Sequence, residues 1–159
     1  MTAKPKSLFN YLIYRGLHLR NRLARGLTLG VRAVVVDSSG QVLLVRHSYV
    51  PGWHFPGGGV EPGESARAAL AHELIEEANI EVTGTPAPHG MFFNNFATDR
   101  DHVFVYVVRD YRQTAPRKAD MEILEARFFP WNALPDGATE ATRARVAEIF
   151  EGAAVRETW

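Results

Sequence analysis

The sequence predicts an α/β fold in which a mixed β-sheet is covered by helices on both faces. The main observation is the order of segments: β-branched runs alternate with stretches of helical spacing, giving helix, hairpin, loop, helix, several strands and helix. The second observation is size, because 159 residues with 46% hydrophobic and 23% charged side chains suffice for one domain with a proper core. We expect a helical extension over residues 1–26 and the main domain over residues 27–155.

Residues 6–25 have the spacing of an amphipathic helix that ends near Gly26. One side carries leucines and the other a basic stripe: Leu8, Leu12, Leu19 and Leu23 against Tyr11, Arg15, His18, Arg22 and Arg25. We expect this helix to pack on the sheet or to form a homodimer contact. Membrane contact is not expected, because the stripe is weak compared with a polybasic anchor.

A β-hairpin is predicted directly after this helix. Residues 29–37 form a β-branched strand, residues 38–40 turn the chain, and residues 41–47 are the expected hairpin partner. A loop follows over residues 48–55. The later elements are strands near 80–82, 90–94, 102–108 and 126–129 and a closing helix over 139–150.

The composition narrows the classes of function. Lys plus Arg and Asp plus Glu are equal at 18 each, so no overall basic field favours a nucleic acid polymer as partner. The absence of cysteine excludes disulfides, thiolate metal sites and a cysteine nucleophile. No apolar run approaches the length of a transmembrane helix, and we expect no secretory signal. The default expectation is a cytoplasmic protein.

The segment over residues 57–80 is the most informative part of the chain. A glycine-rich turn precedes a predicted helix that carries Glu73, Glu76 and Glu77. Because a helix advances about 100° per residue, the three carboxylates fall within an arc of roughly 100° and repel one another. No lysine or arginine lies among them to form salt bridges. Oxygen ligands beside flexible glycine backbone are typical of a site for Mg²⁺ or Mn²⁺.

Local signals give the limits of this helix. Pro62 and Gly63 suit the two central positions of a type II turn. Ser65 is suited to cap a helix that runs to Ala78. Apolar residues at every fourth position, including Leu74, give the helix one side for packing while the glutamates face away.

The spacing of this segment extends beyond its three glutamates. From Gly58 the sequence reads Gly58, five residues, Glu64, seven residues, and then HELIEEANI over residues 72–80. This pattern resembles the Nudix box of MutT-like hydrolases, G-x5-E-x7-R-E-U-x-E-E-x-G-U, in which U is aliphatic. It differs at two positions, with His72 for the arginine and Asn79 for the glycine. The preceding run WHFPGGG is also similar to the approach to a Nudix box.

The resemblance implies a fold and a reaction. The fold would be the Nudix α/β/α sandwich, preceded here by the N-terminal amphipathic helix. The reaction would be the metal-dependent cleavage of a pyrophosphate bond in a nucleoside diphosphate linked to another moiety, such as a (d)NTP, with Mg²⁺ or Mn²⁺ as cofactor. The alternative is a Nudix-like domain that binds nucleotides as a sensor without hydrolysing them.

The resemblance also implies roles for single residues. Glu73, Glu76 and Glu77 would bind the metal together with the backbone carbonyl of Gly57, and Glu64 would help to position these glutamates. The general base stays open between Glu73, Glu76 and an acid from a later loop. The later acids are Asp99, Asp101, Glu122 and Glu125, of which the two glutamates are the better candidates because they precede a predicted strand.

The two departures from the box have different weight. Asn79 is the next-best residue where the family glycine adopts a left-handed conformation after the helix. His72 replaces a permanent cation with a shorter side chain that is only partly charged near neutral pH. We therefore expect catalysis that is retained but weaker and more sensitive to pH.

Candidate substrate contacts lie on the strands and loop before the box. Arg32, Arg46 and His47 could hold a distal phosphate, and each is equally well explained as an ordinary charge on a strand. Trp53 and Phe55 could stack on a base, although aromatic side chains beside a glycine-rich turn more often pack in the core. A second aromatic patch with the same two readings comprises Phe92, Phe93 and Phe96 with Asn94 and Asn95.

Overall fold

The computed structural model describes residues 26–159, so the helix expected over residues 6–25 lies outside the described residues. Residues 26–159 form seven strands, two α-helices and a π-helical turn. The elements are β1 (Thr28–Val35), β2 (Gln41–His47), α1 (Ala66–Ala78), β3 (Ile80–Val82), β4 (Ala87–Phe93), β5 (Asp101–Val108), β6 (Tyr111–Gln113), β7 (Ile123–Pro130), α2 (Glu140–Val146) and the π-helical turn Ala147–Glu151. Within this part of the chain, no helix has the length and apolar character to cross a membrane.

The predicted mixed sheet is confirmed in β1, β5 and β4. The central strand β5 runs parallel to β1 and antiparallel to β4. Two antiparallel pairs accompany this sheet, β2 with β7 and β3 with β6. The β1–β5, β2–β7 and β3–β6 pairs all join strands that are far apart in the sequence, whereas β4 and β5 are consecutive.

The expected hairpin between β1 and β2 is wrong beyond its first residues. A turn closed by the Asp37 carboxylate joins the strands, but their pairing stops at a bridge between Val36 and Val42. The glycine-rich loop takes that edge of β1 instead, pairing through Gly30 and Gly59. Because the edge is occupied, β2 pairs with β7, and the box loop is held directly on the sheet.

Helices cover both faces of the sheet, as predicted. Because successive side chains of a strand point to opposite faces, β1 contributes to two apolar clusters. The cluster under α1 includes Val31, Ala33, Val35, Leu43, Leu70 and Leu74. The cluster on the other face includes Val34, Val42, Phe55, Phe92 and Val146, the last from α2. The glutamates of α1 therefore face away from a well-packed side of the same helix.

The structure confirms the predicted limits of α1. The Ser65 hydroxyl accepts a hydrogen bond from the Ala68 N–H at 3.2 Å, and Asn79 is left-handed with φ of 54°. Elsewhere the limits differ: β4 and β7 begin earlier than predicted, β6 was not predicted, and the closing helix changes to a π-helical turn after Val146. The limits of β4, β6 and β7 depend on their partner strands.

Candidate functional site

The glutamates of α1 line one wall of an open cleft with a volume of about 470 Å³. The opposite wall comes from the loop between β6 and β7 and from the start of β7. The lining residues are Glu73, Glu76 and Glu77 on α1, and Arg117, Asp120, Glu122 and Ile123 on the other side. The fold thus adds Glu122 to the three box glutamates that line the cleft.

Two glycines allow the loop before the box to lie against β1 and α1. Gly57 has φ of 142°, a conformation that side chains rarely adopt, and a Cβ there would collide with the Val31 carbonyl. A Cβ at Gly58 would collide with the Glu73 carboxylate. The Val31 N–H donates to the Gly58 carbonyl at 2.8 Å and fixes the loop on the strand edge.

Glu77 is buried at the base of the cleft, with 6% of its surface exposed. Its Oε2 accepts a hydrogen bond from the Gly57 N–H at 2.9 Å, and its Oε1 lies 3.6 Å from His47 Nε2. Arg32 reaches the same loop from β1, where it donates to the carbonyls of Phe55 and Gly57. The peptide groups on both sides of Gly57 are therefore fixed by side chains, Glu77 on the preceding group and Arg32 on the following one.

Burial raises the pKa of Glu77 to about 8 and the pKa of Glu73 to about 7. The positive charge of Arg32 opposes both shifts, while neighbouring glutamates, Glu122 among them, increase both. Removal from water and like charges both disfavour an ionised carboxylate. Without an added cation, Glu77 therefore retains a proton at neutral pH, whereas Glu73 loses its proton near pH 7.

Glu73, Glu76 and Glu77 fit a hard divalent cation in chemistry and in charge. They present only oxygen atoms. Burial and neighbouring carboxylates raise the pKa values of Glu73 and Glu77 despite the charge of Arg32, and a bound cation would favour the ionised forms of both acids. Over residues 26–159, no three His, Asp or Glu side chains already surround a common metal position. Metal binding therefore requires side-chain rotation, for which the exposed Glu76 has room.

The carbonyl of Gly57, the expected backbone ligand, accepts a hydrogen bond from Arg32. A carbonyl oxygen has two lone pairs, so this hydrogen bond leaves one direction for a metal. Arg32 thus fixes the peptide group that follows Gly57, while Glu77 fixes the preceding one through the Gly57 N–H. The loop carbonyl is thus held in place before any ligand binds.

His72 contacts Glu64 beside the cleft. His72 Nδ1 lies 2.8 Å from Glu64 Oε1, and the His72 side chain is 69% exposed. The other oxygen of Glu64 accepts a hydrogen bond from the Glu61 N–H at 3.2 Å. Neither partner is part of the cleft lining, and the charge of Glu64 acts on the site by raising the pKa of Glu73.

Among the predicted phosphate contacts, Arg32 and His47 lie beside Gly57 and Glu77 at the base of the cleft, and Arg46 does not. Arg32 donates to the Gly57 carbonyl, and His47 lies against Glu77. Arg46 is exposed on β2 whereas His47 is buried, and the pairing of β2 with β7 is irregular between these two residues. Its guanidinium lies 3.3 Å from the Glu125 carboxylate.

The aromatic candidates divide between core and surface. Trp53 is 8% exposed and Phe55 is 1% exposed, and both belong to the apolar cluster on the face opposite α1. Phe92 is buried in the same cluster. Phe96, in the loop between β4 and β5, is 98% exposed. Core packing therefore accounts for Trp53, Phe55 and Phe92.

Of the later acids considered as a general base, Glu122 lines the cleft. The others are elsewhere: Glu125 pairs with Arg46 and Arg127, Asp101 accepts hydrogen bonds from Thr28 and Asn94, and Asp99 lies beside Arg100. Arg117 and Asp120 also line the cleft and were not predicted. Arg117 donates to the carbonyl of Glu76, 41 positions away, so no local pattern could have indicated this contact.

The fold is shared with solved structures. The MutT NUDIX hydrolase from Burkholderia pseudomallei superposes with a TM-score of 0.68 at 22% sequence identity, over 79% of this chain and 99% of that chain. At this identity the likeness establishes the fold.

Sequence comparison then gives the family. Residues 26–148 match the model of the NUDIX domain, and the chain therefore belongs to the Nudix family. A Bacillus subtilis (strain 168) protein named "Putative 8-oxo-dGTP diphosphatase" is 38% identical over 77 residues, which are 48% of this chain and 51% of the relative. An RNA pyrophosphohydrolase from Cronobacter sakazakii is 41% identical over 51 residues, 32% of this chain and 29% of the relative. The matches thus span about half or less of the curated relatives.

Proposed function

We propose that this protein is a divalent-metal-dependent hydrolase that cleaves a pyrophosphate bond in a nucleoside diphosphate linked to another moiety, such as a (d)NTP. The observation that carries this proposal is the cleft, where Glu73, Glu76 and Glu77 of the box face Glu122 from a distant loop. The names of the two curated relatives, a diphosphatase and a pyrophosphohydrolase, describe the same kind of chemistry.

Each part of the site has a task in this reaction. Glu73, Glu76 and Glu77 would hold Mg²⁺ or Mn²⁺ with the carbonyl of Gly57. When bound, the cation supplies neutralisation of phosphate charge and activation of water. Arg32 and the Gly57 N–H contact keep the loop carbonyl oriented, so the backbone ligand is in place before the glutamate side chains close on the cation.

We assign the general base to Glu122. A general base must lie within reach of the attacking water and must accept its proton. Glu122 lines the cleft opposite α1, together with Glu73 and Glu77, and its charge raises the pKa values of both acids. Glu73 and Glu76 would bind the metal in this arrangement. Glu122, the acid from the later loop, is therefore the better candidate for the general base.

The substrate class is tested with a panel of nucleotides. The purified protein is incubated with (d)NTPs, 8-oxo-dGTP, nucleoside diphosphate sugars and a 5′-triphosphorylated RNA oligonucleotide, each with Mg²⁺, with Mn²⁺ and with EDTA. Release of phosphate or pyrophosphate is measured. We expect hydrolysis of a small nucleotide that depends on the metal.

Two variants make the test specific to the cleft. Glu77→Gln should lower turnover by at least about 100-fold, because a metal ligand contributes several kcal/mol to the transition state. Glu81→Gln is the matched control, since Glu81 is exposed and pairs with Arg112 on β6. Unchanged turnover in Glu77→Gln would contradict the metal site.

Binding without hydrolysis is the other outcome that the panel can give. The substitution of His72 for the family arginine is the observation that favours it, since a sensor needs no fast chemistry. Nucleotide binding by calorimetry, with no product released under any metal condition, would support a nucleotide-binding sensor and overturn the hydrolase.

A further inference from the structure

Side chains attach the loop between β6 and β7, residues 114–122, to the C-terminal end of α1. Arg117 Nε donates to the backbone carbonyl of Glu76 at 2.7 Å. Gln113 Nε2 donates to the carbonyl of Ala78 at 2.8 Å. A cation at this end of a helix is favourable, because the last carbonyl groups carry partial negative charge.

Asp120 connects Arg117 to the backbone of Glu122 by hydrogen bonds. Arg117 Nη2 contacts Asp120 Oδ2, while Asp120 Oδ1 accepts hydrogen bonds from the N–H groups of Glu122 and Ile123, both at 2.8 Å. A continuous series of charge-assisted hydrogen bonds therefore links the end of α1 to the backbone of the cleft acid.

The remaining donor group of Arg117 is also directed at protein, because Nη1 donates to the carbonyl of Lys118 at 2.7 Å. The side chain of Arg117 is 19% exposed. All three guanidinium nitrogens thus contact the chain, which argues for a role in placing the loop and against a role in holding a phosphate. A lysine could not make these contacts together, since its ammonium lacks the planar fork of donors.

We propose that Arg117 is a positioning residue that fixes Glu122 opposite Glu73 and Glu77 and thereby sets the rate of hydrolysis. This inference rests on the proposed function, because it concerns the acid to which we assign proton transfer. Small displacements of a catalytic group have large effects on rate. Loss of Arg117 should therefore lower kcat while leaving the KM for the nucleotide nearly unchanged.

The first test is a double-mutant cycle on the best nucleotide of the panel. Glu122→Gln should lower kcat by about 100-fold, as expected for loss of a general base. Arg117→Ala should lower kcat by about 10-fold or more, with KM changing by less than about 2-fold. Arg117→Lys should retain an intermediate kcat. In the double variant, kcat should equal that of Glu122→Gln alone, because Arg117 acts through Glu122.

The second test does not depend on activity. Hydrogen exchange of the metal-free protein should show that Arg117→Ala weakens protection of the N–H groups of Glu122 and Ile123. Arg112→Ala is the matched control, because Arg112 is 63% exposed and pairs with Glu81 outside the cleft. Asp120→Asn repeats the test if Arg117→Ala does not fold, since it replaces the oxygen that faces Arg117.

The outcomes separate this inference from the proposed function. If the wild-type protein hydrolyses no nucleotide, the proposed function fails, and the exchange measurement alone decides whether Arg117 positions the loop. If the wild-type protein is active, losses in kcat that multiply in the double variant would overturn the inference. It would also be overturned if Arg117→Ala lowered only the melting temperature, with unchanged kcat and unchanged protection at residues 122–123.

Discussion

Replacing Glu77 with glutamine should stabilise the metal-free protein and remove its response to metal. Glu77 is buried, and its pKa is raised to about 8 from the value of 4.5 expected for an unfolded chain. Glutamine is uncharged and nearly the same size. Its side-chain oxygen can still accept the hydrogen bond from the Gly57 N–H, so the variant removes the titrating carboxyl group and keeps the contact.

The direction of the pH effect follows from proton binding. Between pH 4.5 and about 8 the folded wild-type protein holds a proton on Glu77 that the unfolded chain has released. The free energy of unfolding therefore falls as the pH rises through this window, by about 1.4 kcal/mol per pH unit. At pH 7 this destabilisation is about 3 kcal/mol, and at pH 5 it is under about 1 kcal/mol.

Urea unfolding in EDTA at several pH values measures this difference. Glu77→Gln should match the wild-type protein near pH 5 and should exceed it by about 3 kcal/mol at pH 7, a rise in melting temperature of about 6 to 12 °C. With metal at 100 times its Kd, the wild-type protein should gain about 2.7 kcal/mol, and the variant should gain little. A difference between the two proteins that does not change with pH would refute the reasoning, and Glu81→Gln serves as the exposed control.

Two further predictions concern the box. Gly57→Ala should lower the free energy of unfolding, measured in urea, by at least about 2 kcal/mol, because Gly57 has a conformation that side chains rarely adopt and a Cβ there would collide with Val31. Gly59→Ala is the control: a Cβ at Gly59 meets nothing within 4 Å, so the free energy of unfolding should change by under about 0.5 kcal/mol. Equal effects of the two substitutions would contradict the role of Gly57. His72→Arg should raise kcat/KM or extend the pH–rate profile to higher pH, because arginine keeps its charge where histidine loses it. A clear fall in kcat/KM would show that His72 is adapted to Glu64.

The local features of α1 could be predicted because they depend on neighbouring residues. The serine cap and the left-handed asparagine depend only on the backbone at the two ends of the helix. The structure confirms both, at Ser65 and at Asn79. The glycines before the box were predicted from the same kind of reasoning. At Gly57 the backbone of β1 leaves no room for a side chain, whereas at Gly58 the Glu73 side chain would have to move.

The strand pairing of β2 could not be predicted in the same way. Its β-branched sequence suits either partner, and the choice was decided by the glycine-rich loop, which occupies the neighbouring edge of β1. The contact between Arg117 and the carbonyl of Glu76 is also long-range. Such contacts depend on how the β6–β7 loop crosses the end of α1, and no periodic pattern in the sequence predicts that crossing.

The positive charge at this site comes from outside the box, and this changes how the substitution at position 72 should be judged. His72 contacts Glu64, which does not line the cleft. The buried acids Glu73 and Glu77 are instead influenced by Arg32, a residue of β1 whose charge lowers the pKa of both. The presence of His72 in place of arginine therefore leaves Arg32 beside the buried acids. Its effect should act through Glu64, whose charge raises the pKa of Glu73, which is why we expect a change in rate and pH range and not a loss of the site.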